Sequence, residues 1–129
     1  MQLLTVYLLN EDEKMTTLIY KGTGFFSKTQ VGVCENGRIY SGYGWGRSCI
    51  GCYSGGIVFS GYGFGKTQIG SYQNGKVFLG VGWGKTPVGS YENGAIYSGI
   101  RWLSKRQIGS YNGTDGGAAA AFLLLWKDK

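Results

Sequence analysis

The chain repeats itself every 19 residues, and that period decides most of what it can fold into. VGVCENGRIYSGYGWGRSC starts at Val31, IGCYSGGIVFSGYGFGKTQ at Ile50, IGSYQNGKVFLGVGWGKTP at Ile69 and VGSYENGAIYSGIRWLSKRQ at Val88; the next start, Ile108, comes one residue late. LIYKGTGFFSKTQ from Leu18 copies the second half of the unit, and IGSYNGTDGG from Ile108 copies the first half. A short fixed period marks a chain assembled from one supersecondary unit. We read one domain over 1–129, made of about six units near 1–30, 31–49, 50–68, 69–87, 88–107 and 108–129.

Each unit predicts a β-hairpin. Asn-Gly between alternating runs is the strongest short hairpin signal, because both residues tolerate positive φ. A two-residue loop at Asn74-Gly75 sets Tyr72 opposite Val77, Ser71 opposite Phe78, Gly70 opposite Leu79 and Ile69 opposite Gly80. The second strand is expected over Lys76 to Trp83, with Val77, Leu79, Val81 and Trp83 on one face and Phe78, Gly80, Gly82 and Gly84 on the other. Glycines in such a ladder let a sheet bend under neighbouring aromatics. The fold class is all-β, an antiparallel up-and-down meander of ten to twelve strands whose edges are removed by closure into a barrel. A small propeller, a prism or a hairpin solenoid is the alternative.

The last segment, GGAAAAFLLLWKDK, fits either a final strand or a short buried helix with Asp115 at its N-cap. At Ala118 to Trp126 its apolar run is shorter than the roughly 20 residues a spanning helix needs, so no membrane span is expected. The N-terminal MQLLTVYLLNEDEK has neither a basic leader nor a small-residue cleavage site. The default address is cytoplasmic, with an extracellular one as the alternative.

The residue inventory narrows the chemistry. There is no histidine, which removes histidine-based triads, proton shuttles and metal sites together. Gly61-Tyr62-Gly63-Phe64-Gly65-Lys66-Thr67 ends like a phosphate-binding loop. However, Ser60 stands where the first glycine of that motif is required, and a strand follows instead of a helix. Cys49 and Cys52 form a C-x-x-C pair with only Cys34 in addition, which is short of a zinc set and lacks a redox-helix setting. Glu35 and Glu92 beside Asn-Gly turns offer no evident pocket. The expectation is a protein without a catalytic site, a metal or a cofactor.

Charge sorts by turn type. Lys28, Arg47, Lys66, Lys85, Lys105 and Arg106 belong to the Gly-Lys-Thr-type turns, whereas Glu11, Asp12, Glu13, Glu35, Glu92 and Asp115 belong to the Asn-Gly-type turns. In a meander these lie at opposite ends. Trp45, Phe64, Trp83 and Trp102 stand beside the cations, at one fixed position of the repeat. With 13 Lys and Arg against 7 Asp and Glu, the formal net charge is +6.

These features predict a non-catalytic binding or assembly module with a basic and an acidic end. Such ends suit a homo-oligomer stacked head to tail by charge docking. The aromatics suit a glycan or cell-envelope ligand held in repeated pockets. The basic rim suits single-stranded nucleic acid or another polyanion. The unit also resembles the aromatic hairpin units of choline-binding and glucan-binding repeats at Asn93-Gly94, Ile96-Tyr97 and Trp102, in which neighbouring hairpins share ligand pockets. It lacks their Gly-Trp start and consecutive Trp-Tyr, so no ligand residues carry across.

Overall fold

The hairpin turns form as the Asn-Gly pairs dictate. Asn36, Asn74 and Asn93 take φ of 53°, 52° and 50°, and the glycines after them, Gly37, Gly75 and Gly94, take 80°, 79° and 84°. Two successive positive φ values give the turn whose twist matches that of the flanking strands. The computed structural model describes residues 16–24, 27–99 and 104–126. It contains β1 (Thr16–Lys21), β2 (Thr29–Glu35), β3 (Arg38–Ser41), β4 (Ser48–Ser54), β5 (Ile57–Ser60), β6 (Thr67–Gln73), β7 (Lys76–Leu79), β8 (Thr86–Glu92), β9 (Ala95–Ser98) and β10 (Arg106–Asn112). One helix, α1 (Gly116–Leu125), follows.

The ten strands form a closed antiparallel barrel in which each strand neighbours its sequence partners and β1 pairs with β10. Closure leaves no edge strand to template aggregation. The hairpin register is the expected one, with Tyr72 opposite Val77 and Gly70 opposite Leu79. The two half-units at the chain ends are one unit: β10 sets Tyr111 opposite Ile19 of β1, just as β4 sets Tyr53 opposite Val58. The barrel therefore holds five equivalent hairpins instead of six, the fifth joined by hydrogen bonds between the chain's two ends.

Each of the five long strands carries one bulge at the same place, and the residue it bypasses is Val31, Ile50, Ile69, Val88 or Ile108. A bulge adds bend and twist where the wall must curve. Its freed carbonyl is taken by the glycine that ends a short strand, for example Gly61 N–H to Ile50 O at 2.9 Å and Gly80 N–H to Ile69 O at 2.9 Å. Those terminal glycines correct the expected long second strand. β7 stops at Leu79 because Gly80 takes φ of 99° and Gly82 takes 61°, and a 3-10 turn spans Gly82–Gly84. Val81 and Trp83 thus leave the sheet, and Gly80, Gly82 and Gly84 form a turn rather than a ladder.

The lumen shows where glycine matters. Inward-facing residues form three tiers: Cys34, Tyr53, Tyr72, Tyr91 and Tyr111 towards the Asn-Gly end; Ile19, Ile39, Val58, Val77 and Ile96 in the middle; Gly32, Gly51, Gly70, Gly89 and Gly109 towards the other end. A ten-strand barrel is wider than the eight-strand one that wall side chains alone can fill. α1 fills the remainder, and Gly116 to Leu123 are all buried. It is apolar around its whole circumference, as a helix enclosed on every side must be.

Helix and wall are matched in size tier by tier. Ideal Cβ atoms at Gly32, Gly109, Gly89, Gly70 and Gly51 would strike Phe122, Leu123, Leu124, Leu125 and Trp126 respectively. Five consecutive helix-end residues therefore each face the glycine of a different hairpin. At the other end the sizes invert: a Cβ at Gly117 would overlap the Tyr72 ring, and one at Gly116 the Tyr111 ring. The tyrosines pack edge to face around this narrow start, with Tyr72–Tyr91 and Tyr91–Tyr111 centroids 6.3 and 6.4 Å apart.

Asp115 occupies the N-cap position, but its side chain caps nothing. It accepts a hydrogen bond from Tyr53 Oη at 2.7 Å, while its backbone N–H donates to Thr17 Oγ1 at 3.0 Å. The helix start is thereby tied to two strands. Burial, reinforced by the bond to Asp115, holds the Tyr53 hydroxyl well above its ordinary pKa. No helix among the described residues is long and apolar enough to cross a membrane.

Candidate functional site: an aromatic rim backed by cations

Because α1 fills the lumen, with Leu124, Leu125 and Trp126 half-buried at the Gly-Lys-Thr end, the place for recognition at that end is its outer rim. Three rim turns are built alike. Gly44–Gly46, Gly63–Gly65 and Gly82–Gly84 each make one 3-10 turn, closed by N–H bonds from Arg47 to Gly44 O, Lys66 to Gly63 O and Lys85 to Gly82 O at 3.5, 3.4 and 3.3 Å. The first glycine of each has positive φ, which an aromatic neighbour could not supply. The central residue of each is Trp45, Phe64 or Trp83.

These three side chains stand wholly in solvent, at relative exposures of 106%, 111% and 105%. Tyr43, Tyr62 and Val81, each two residues before a tip, and Leu79 at the end of β7 are about half exposed. Nothing lies within 4 Å of a Cβ built on any of the six glycines flanking the tips. Among the described residues the fold does not bury these rings. Singly exposed apolar residues are ordinary, but a set of large ones at equivalent positions marks a surface for something else.

The cations are also placed by the repeat, though not at the tips. Lys28, Arg47, Lys66, Lys85 and Lys105 lie back over Tyr20, Tyr40, Phe59, Phe78 and Tyr97, at 4.5, 4.1, 4.4, 4.7 and 4.4 Å from the ring centroids. Those rings alternate with the inward Ile and Val residues and so face outward. Each contact is a cation–π pair that covers an outer-wall aromatic while leaving the charge near water. Arg106 is the first residue of β10, opposite Ser98, and is not part of this series.

The expected separation of charge along the barrel axis is altered by these side chains. Arg47 reaches down the wall to Glu35, Nη2 to Oε1 at 2.9 Å, so one cation of the rim pairs with a carboxylate of the other end. Asp115 is turned into the barrel by Tyr53. Glu92 remains at the Asn-Gly end, exposed. Glu11, Asp12, Glu13 and Trp102 lie outside the described residues.

Two depressions mark the outer surface. One of about 500 Å³ is lined by Tyr40, Gly44, Trp45 and Arg47, and combines a stacking face with a guanidinium. The other, about 420 Å³, crosses the wall over β6 and includes Ile57, Gln68, Ser71 and Lys85. Cys49 and Cys52 point outward from β4, their thiols donating to Gly51 O and Gly61 O at 3.5 Å. Cys34 takes the place of a tyrosine in the lumen, where burial holds its thiol protonated, far above the usual range.

Comparison with protein-family models, with curated proteins and with solved structures finds no match to this chain. The repeat brings Trp45, Phe64, Trp83 and the cations to turns of one type, but it does not separate tips from wall. The signal was available: the aromatic between two glycines differs from the aromatic that follows Ile or Val, and only the latter lies within a strand.

Proposed function

We propose that this protein is a non-catalytic binding module whose working surface is the aromatic rim. The plugged barrel acts as a rigid mount, and the three turns present Trp45, Phe64 and Trp83 to a partner, with cations set behind them. The observation that supports this reading is the complete exposure of those three rings at equivalent positions. Keeping large apolar groups in water has no benefit for folding, and a rigid mount limits the entropy lost on binding.

The test is a triple variant, Trp45→Ser/Phe64→Ser/Trp83→Ser, compared with Gln73→Ala/Glu92→Ala/Asn112→Ala at the other end. Both are expected to keep the wild-type Tm, since the rim rings pack on nothing. Binding is then read by intrinsic fluorescence or sedimentation against oligosaccharides, single-stranded oligonucleotides and lipid vesicles. Any interaction is expected to weaken at least about tenfold in the rim variant and to persist in the other. A ligand held equally by the rim variant contradicts the proposal.

A second reading, glycan binding, is favoured by the groove at Tyr40, Gly44, Trp45 and Arg47. A sugar ring stacked on Trp45 would offer its hydroxyls to Arg47. Oligosaccharide quenching that is lost in Trp45→Ala and insensitive to salt would support it; no quenching by any sugar would remove it.

A further inference from the structure

We infer that the rim docks on the surface of an anionic lipid bilayer, with the barrel sitting on the membrane rather than crossing it. This rests on the reading of the rim as the working surface. Four observations narrow the partner from a surface in general to this one.

First, the three described rim turns follow the repeat. Their hairpins share one register and one bulge position, so the turns at Trp45, Phe64 and Trp83 are related by rotation about the barrel axis. Tips generated by such a rotation lie in a common plane. A flat partner meets Trp45, Phe64 and Trp83 together, whereas a linear polymer would have to follow a circle to reach all three.

Second, the chemistry is layered along the axis. The tips are Trp and Phe, side chains that enter the boundary between headgroups and acyl chains. Tyr43 and Tyr62, two residues before a tip in sequence, are more than half exposed. Lys28, Lys66, Lys85 and Lys105 over the outer wall come next, at the depth where lipid phosphates would lie once the tips are inserted, while Arg47 is paired with Glu35. Basic side chains at this level are attracted by anionic headgroups, and the net charge of +6 adds to that attraction.

Third, the described residues that close the barrel mouth at this end, Leu124, Leu125 and Trp126, are apolar as well. Fourth, strands of four to seven residues are shorter than the roughly 9–11 that cross a bilayer. A second copy docked rim to rim is disfavoured because it would bring two sets of cations together.

The experiment is co-sedimentation of the full chain with phosphatidylcholine vesicles, with and without phosphatidylserine, at low and high salt. Binding is expected with phosphatidylserine, weakened by salt, and much weaker on phosphatidylcholine alone. The rim triple variant is expected to lose at least about tenfold in partitioning with an unchanged Tm, and Lys66→Glu/Lys85→Glu to lose the preference for phosphatidylserine. The Gln73/Glu92/Asn112 variant is expected to bind as wild type. Absence of sedimentation with either vesicle overturns the inference, as does vesicle binding that the rim variant retains. If vesicles are ignored but a sugar, an oligonucleotide or a rim-dependent dimer is found, the bilayer is wrong and the rim stands. If no interaction of any kind depends on the rim, both fall.

Discussion

Gly70→Val is expected to destabilise the barrel by at least ~3 kcal/mol, while Gly65→Ala five residues away is expected to change its stability by less than about 0.5 kcal/mol. A Cβ at Gly70 would overlap Phe78 O and stand 2.7 Å from Leu125 Cδ1. The carbonyl is backbone of the neighbouring strand and Leu125 is held inside the barrel, so neither yields cheaply. Overpacking of a close-packed interior costs about 1–3 kcal/mol for a methylene or two, and a branched side chain against backbone belongs at or above the top of that range. A cost of at least ~3 kcal/mol is a large part of the stability of an ordinary domain. Gly65 meets nothing within 4 Å and has no positive φ. Urea unfolding of the two variants checks this. Equal loss in both would mean that glycine serves the rim turns and the lumen alike, and would contradict the tier-by-tier fit of helix to wall.

The second large effect is expected at Phe122, the largest fully buried side chain of the described residues. It fills the space left by Gly32, whose Cβ would come within 3.1 Å of its ring, and its centroid lies 6.3 Å from that of Trp126. Phe122→Ala removes the ring from a lumen where the wall position that faces it, Gly32, has no side chain to fill the gap. The cost is expected at about 3–5 kcal/mol, at the high end of the range because collapse is prevented. For a chain of this size that is a fall in Tm on the order of 15 °C, measurable by calorimetry. Phe122→Leu is expected to recover more than half of it. A Tm within a few degrees of wild type for Phe122→Ala would show that α1 does not occupy the lumen.

The turns, the register and closure were legible because each follows from local chemistry. Asn74-Gly75 sets the turn, the turn sets Tyr72 against Val77, and a meander without protected edges has to close. What could not be read was which glycines were structural. Gly70 and Gly82 look alike in sequence, yet one admits Leu125 into the lumen and the other turns the chain at the rim; the difference depends on the C-terminal segment, 40 or more residues away. That segment was ambiguous by itself, since Ala118 to Leu125 is apolar at every position and shows neither period. Its partner, a ring of five glycines in an otherwise bulky lumen, is what settles it as a helix.

The same non-local effect reshaped the candidate site. Lys66 and Lys85 were placed at the rim by turn type, but their side chains lie over Phe59 and Phe78 on the wall. Arg47 was assigned to the basic end and reaches Glu35 of the acidic one. Backbone position was predictable from the repeat, whereas side-chain direction depended on which aromatic the neighbouring strand offered. The tips, Trp45, Phe64 and Trp83, have no such partner among the described residues.

The central claim is that the lumen is closed by the chain's own helix and that recognition is left to the rim. Acrylamide quenching of single-tryptophan variants, with the other tryptophans replaced by Phe, tests both halves at once. The account predicts that Trp45 and Trp83 are quenched as readily as tryptophan free in water, and that Trp126 at the end of α1 is quenched several-fold less. Trp126 quenched as readily as Trp83 would contradict it by placing the helix outside the barrel, and shielded Trp45 and Trp83 would remove the exposed rim.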